Sequence, residues 1–151
     1  MRFFSTALLF LLLMAGCGVE EKDSAIPQAR VNLRVTALAD YAHLRSIGNY
    51  MDFSLGDGKL YPTNTYLGFG GLIVFRNFDG KIMCVDKSCP VERDRYVQVT
   101  MDHKLHATCK MCGSEYDLSW GLCVPISGPA KEPLKIYPHC VDNGTSITIS
   151  N

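Results

Sequence analysis

Neither sign of charge predominates: 15 Lys and Arg stand against 15 Asp and Glu, for a formal net charge of +0. That balance gives no electrostatic reason to expect nucleic acid or an acidic membrane surface as a partner. The chain also lacks a repeat of fixed period, a glycine-rich phosphate loop, a paired-carboxylate motif and any Ser/His/Asp order. Hydrolase and kinase chemistry therefore have no residues to carry them. Charged residues make up only 20% of the 151 positions and hydrophobic ones 47%. That is too apolar for a disordered chain, and the length suits one ordinary domain with a real core. Cysteine is what the sequence has in excess. There are seven, an odd number, so one thiol has a different task from the other six.

The odd thiol stands near the front. Met1 to Thr6 carries one positive charge, and the uncharged run Ala7 to Ala15 follows. The run is too short for a permanent membrane span and fits a secretory signal peptide. It ends in Met14-Ala15-Gly16-Cys17, which resembles the bacterial lipobox, although Met14 stands where Leu is commoner. The resemblance implies a lipoprotein signal peptide over residues 1–16, with Cys17 acylated as the lipid anchor. The protein is then expected in the bacterial cell envelope, held to the membrane by its lipid and facing periplasm or exterior. Residues 17–30 are polar, lack periodicity and read as a flexible tether to a domain over 31–151. Outside the cytoplasm, disulfides persist.

From residue 31 the pattern is β. Val31-Asn32-Leu33-Arg34-Val35 alternates apolar and polar, as a half-buried strand does, and Gly71-Leu72-Ile73-Val74-Phe75 reads as a buried strand. Asn77-Phe78-Asp79-Gly80 supplies a tight turn into Lys81-Ile82-Met83-Cys84-Val85, which predicts a hairpin. Val97, Val99 and Met101 alternate with polar residues, and further short strands are expected at 105–108, 115–118, 122–124 and 134–137. The Asp142-Asn143-Gly144 turn separates a strand at 137–141 from Ser146 to Ile149. Leu38, Tyr41, Leu44 and Ile47 are spaced for a short helix or an irregular excursion within 37–48. Together these predict an all-β fold, a small antiparallel sandwich or barrel.

Six cysteines follow Cys17. Cys109-Lys110-Met111-Cys112-Gly113 is a C-x2-C-Gly knuckle, whose spacing turns both sulfurs to one centre while glycine permits the turn. Cys84 and Cys89, in C-x4-C spacing, can supply the other half of a four-thiolate metal site. The plain alternative is three disulfides, among 15 possible pairings. His103 and His106 precede the knuckle, and His106 has the spacing to bring an imidazole to a metal. Histidines on so polar a segment more often face solvent.

Residues 70–150 resemble the Rieske [2Fe–2S] domain. Gly80-Lys81-Ile82-Met83-Cys84-Val85-Asp86-Lys87-Ser88-Cys89-Pro90-Val91 is similar to the family's first ligand loop, Gly-Lys-x-x-Ala-x-Asp-x-x-Cys-Pro-His. Cys109-Lys110-Met111-Cys112-Gly113-Ser114-Glu115-Tyr116-Asp117 is similar to the second, Cys-x-x-His-Gly-Ser-x-Phe/Tyr-Asp, and Gly128-Pro129-Ala130 with Pro133-Leu134 and Tyr137 match the segment after it. The resemblance implies a Rieske-like β domain with two cysteine-bearing loops at one tip, [2Fe–2S] binding and one-electron transfer with an envelope redox partner. Cys89 and Cys109 match the thiolate positions, and Ser114 and Tyr116 match hydroxyls that hydrogen-bond the cluster sulfurs. The two histidine positions are Val91 and Cys112, so a two-imidazole cluster is excluded by residue identity. Four outcomes stay open. In the first, a cluster uses Cys89, Cys109, Cys112 and a substitute, for which Cys84 is the nearest thiol. In the second, the same thiolates hold Zn²⁺. In the third they are disulfides stapling a cluster-free binding or structural module, and in the fourth they are free thiols that cycle. Cys123 and Cys140 have no counterpart in the ligand loops and are expected to form a mutual disulfide, the alternative being separate burial.

Overall fold

A computed structural model describes residues 24–151. The expected signal peptide, the lipid-anchor Cys17 and the first part of the tether lie outside the described residues. The end of the tether does not behave as one. Ile26 is buried, and the Lys135 ammonium, itself buried, donates to the Ile26 and Pro27 carbonyls at 3.1 and 3.0 Å. An apolar side chain with two carbonyls gathered by one cation fixes this stretch to the domain, whose packed structure therefore begins before residue 31.

Among the described residues, eleven strands form three antiparallel sheets, and one helix of seven residues accompanies them. The outer sheet has the order β10 (His139–Asp142), β11 (Ile147–Ser150), β1 (Val31–Val35) and β3 (Tyr66–Leu67). The middle sheet is β2 (Tyr50–Phe53), β4 (Leu72–Arg76) and β5 (Ile82–Asp86). The third has β6 (Val99–Met101), β7 (His106–Cys109), β8 (Glu115–Asp117) and β9 (Val124–Ser127). The expected all-β antiparallel class is thus the observed one.

Hydrophobic patterning explains the layering. In β1 only alternate residues are buried, Val31, Leu33 and Val35, because one face looks outward. In β4 the four residues Leu72 to Phe75 are all buried. Leu72 and Val74 enter one core with Val31, Leu33, Ile147 and Ile149, while Ile73 and Phe75 enter a second with Val99, Ala107, Tyr116 and Leu118. A strand covered on both faces reads as a continuous apolar run. The middle sheet therefore has one core on each face, and the side-chain period of two decides which core each residue joins.

The β4–β5 hairpin turns at Asn77 to Gly80, where the buried Asn77 side chain accepts the Lys81 N–H at 2.8 Å and Gly80 takes φ +78. Three expectations shift. The helix α1 is Leu38–Leu44, and of the four spaced residues only Tyr41 and Leu44 are buried, while Leu38 and Ile47 are 83% and 58% exposed. Residues 134–137 form no separate strand. They run along the outer edge of β5, where the Asp86 N–H donates to the Lys135 carbonyl at 2.8 Å and Tyr137 N–H to the Cys84 carbonyl at 2.9 Å. Residues 122–123 follow the turn at 119–120 and belong to no strand, with Cys123 at φ 53, and β9 begins at Val124.

Candidate metal centre

The first cysteine loop leaves the end of β5. Asp86 closes that strand with a carboxylate that is fully buried and surrounded by donors. It accepts the amide N–H groups of Phe69, Gly70 and Ser88 at 2.8, 3.1 and 2.9 Å, and the Tyr137 hydroxyl at 2.9 Å. One side chain thereby fixes the glycine turn at 68–71 and the exit of the cysteine loop. Cys89 follows three residues later, its N–H donating to the Val97 carbonyl at 3.0 Å and its carbonyl accepting from Arg93 at 2.9 Å.

The second loop leaves the end of β7. Cys109 N–H donates to the Ser114 carbonyl and Gly113 N–H to the Cys109 carbonyl, both at 2.9 Å, which closes the C-x2-C turn, with Gly113 at φ +71. A third segment braces it. The Ser114 hydroxyl accepts the Ala130 N–H at 3.1 Å, and Gly128 packs against the same residue at φ +83. A Cβ at position 128 would lie 2.6 Å from Ser114 Cα and 2.8 Å from the Gly113 oxygen, both backbone atoms that cannot swing aside. Gly128→Ala is accordingly expected to cost roughly 2–4 kcal/mol in denaturant unfolding. Wild-type stability in that variant would contradict the close approach.

The two loops bring Cys89, Cys109 and Cys112 together, with all three Sγ atoms within 4.8 Å of one another. Cys89 and Cys112 Sγ are 3.6 Å apart, and Cys89 Sγ is 3.7 Å from the Tyr116 hydroxyl. The Cys112 thiol donates to Ser114 Oγ at 3.1 Å, the same oxygen that accepts the Ala130 N–H, and once Cys112 is ionised the Ser114 O–H turns to donate to the thiolate. Cys89, Cys109, Ser114 and Tyr116 are fully buried, and only Cys112 reaches the surface. Burial pushes the Cys109 thiol up to about 11. Burial also opposes ionisation of Cys112, but hydrogen bonds from Ser114 and then from the neighbouring sulfurs outweigh it and hold that thiol below its ordinary value. Tyr116 is pushed up by burial and by Cys89, so it stays a neutral donor.

A lowered thiol pKa means more thiolate at neutral pH, and the nucleophile disappears as pH falls through the lowered value. In the reduced, metal-free chain iodoacetamide should therefore modify Cys112 at least ~10-fold faster than Cys109. Peptide mapping against time measures this, and equal rates would contradict the assigned environments.

Two expectations fail on strand geometry. Cys84 does not join the site. Side chains alternate along β5, so Met83 and Val85 face the site-side core while Cys84 faces the other core, beside Cys140. Cys123 and Cys140, expected to pair, are not brought together, and all six described cysteines are free. Cys123 is buried in the site-side core and Cys140 packs against the opposite one, so the middle sheet stands between their surroundings. His106 stays with Asp117, Nε2 to Oδ1 3.9 Å, and is not gathered with the sulfurs. The Asp86 carboxylate was not singled out from sequence. Its signal was an acidic residue ending an otherwise apolar strand, just before a cysteine.

Three buried or half-buried thiols so close together can bind a metal ion. The [2Fe–2S] cluster implied by the Rieske resemblance takes four protein donors. The described residues gather three, Cys84 turns away, and Val91 is aliphatic and 38% exposed. The donor set does not fit that cluster. It does fit one ion, because tetrahedral Zn–S bonds of about 2.3 Å set sulfurs roughly 3.8 Å apart, close to the 3.6 Å between Cys89 and Cys112.

No family model matches the chain, and no curated protein matches it either. The fold and site define the class on their own terms, as an all-β domain with a three-cysteine centre where two loops meet.

Proposed function

We propose that this is a lipid-anchored protein of the bacterial envelope whose Rieske-like domain holds a single metal ion, Zn²⁺, through the thiolates of Cys89, Cys109 and Cys112. The observation that carries this reading is the sulfur geometry: one separation of 3.6 Å and all three within 4.8 Å. Thiolate donors select borderline and soft ions over Mg²⁺ or Ca²⁺. Three thiolates leave one tetrahedral position to water or an incoming ligand. The Ser114 and Tyr116 hydroxyls stabilise the excess negative charge of three thiolates around a divalent ion.

On this reading the ion ties the first loop to the second. At that site no substrate bond is made or broken, and Zn²⁺, which has no redox chemistry, transfers no electron. The envelope assignment and the membrane as partner rest on the sequence of residues 1–17.

Cobalt substitution tests the site. The reduced full chain, titrated with Co²⁺, should develop thiolate-to-cobalt charge-transfer absorption that saturates at one equivalent and is displaced by Zn²⁺. Absence of those bands, with Cys89 and Cys112 recovered as a disulfide, would replace the metal site with a staple.

A further inference from the structure

Two of the remaining cysteines lie away from the metal centre and next to each other. Cys84 is fully buried at the middle of β5, and Cys140, on β10 of the outer sheet, packs against the same core. The chain along the outer edge of β5 joins them. Tyr137 N–H donates to the Cys84 carbonyl at 2.9 Å, and the Cys140 thiol donates to the Tyr137 carbonyl at 3.3 Å. Strands β5 and β10 pack against each other, and each of the two thiols shifts the other's pKa. We propose that Cys84 and Cys140 form a redox site separate from the metal centre, a dithiol that closes to a disulfide linking the middle sheet to the outer sheet.

The pair is asymmetric in a way that orders the chemistry. Cys140 is partly exposed, whereas Cys84 is sealed, so an oxidant reaches Cys140 alone. The neighbouring Cys84 lowers the Cys140 thiol pKa, and burial raises that of Cys84, so the first thiolate belongs to Cys140. The oxidant is a small-molecule or protein disulfide. The Cys140 thiolate attacks one of its sulfurs, breaking the S–S bond and releasing one thiol. Cys84 then gives up its proton and attacks Cys140 Sγ, which breaks the mixed disulfide and releases the second thiol. The pair loses two electrons and two protons, and the oxidant gains them. Cys123, in the opposite core, takes no part.

Trypsin separates the two sites, leaving Cys84 in Ile82–Lys87 and Cys140 in Ile136–Asn151, while Cys112 and Cys123 share a third peptide. The full chain is purified reduced, treated with oxidised glutathione, alkylated under denaturing conditions, digested and mapped by mass spectrometry. The expected result is a reducible cross-link between the Cys84 and Cys140 peptides. The oxidised chain should also melt roughly 10 °C above the reduced one, and Cys140→Ser should lose that increment. Recovery of both cysteines as alkylated monomers, or of Cys140 linked to the Cys123 peptide, would overturn the proposal. The mapping uses the unaltered chain, so it does not depend on the variant folding.

Discussion

Asp86→Ala is expected to cost the fold about 3–5 kcal/mol, the range for breaking a buried charged network by removing one partner. The carboxylate is fully buried and accepts three amide N–H groups and the Tyr137 hydroxyl. Alanine leaves all four donors in a dry site, and each orphaned donor costs about 1–3 kcal/mol before relaxation. Asp86→Asn should fall between, because one oxygen still accepts while the amide hydrogens face donors. Tyr137→Phe, which removes only one of the four bonds, should cost about 1 kcal/mol. Denaturant unfolding followed by circular dichroism measures the series. A loss below about 1 kcal/mol for Asp86→Ala would mean that water reaches these donors and that the turn at 68–71 is held by something else.

Cys109→Ser should lower metal affinity by more than ~100-fold, since changes confined to groups supporting a ligand already cost 10–100-fold. Ser114→Ala, which removes the hydroxyl 3.1 Å from Cys112 Sγ, should cost about tenfold by the same scale. Cys84→Ser should leave affinity unchanged, because its side chain enters the other core. Competition with a chromophoric zinc chelator measures all three. Should Cys84→Ser weaken binding as much as Cys109→Ser does, Cys84 would be a ligand and the donor set would number four.

Much of the fold is legible in local pattern. The alternation in Val31 to Val35 marks a strand with one open face, and the unbroken run Leu72 to Phe75 marks one covered twice. Asn77 to Gly80 specifies its turn through a side-chain acceptor and a glycine at positive φ. The C-x2-C-Gly turn likewise encodes its own geometry, whereas its meeting with Cys89 is what the resemblance to the Rieske loops implies. What local pattern does not carry is which core a side chain enters. Cys84 stands close to Cys89 in sequence, yet side chains alternate along the strand and the two enter opposite cores, so nearness along the chain says nothing about direction. Cys123 and Cys140 look like partners only while the sheet between their surroundings is unknown. Tyr50 to Phe53 shows little burial preference of its own and becomes a strand by pairing with β4, where Met51 lies opposite Val74.

Metal content and ligation decide the central question. The full chain, purified under reducing conditions, is analysed for zinc, iron and acid-labile sulfide, and its metal edge is read by X-ray absorption. One zinc per chain with three sulfur neighbours at about 2.3 Å, no sulfide and no visible colour is the predicted result. A brown protein with two irons and two sulfides per chain would contradict it.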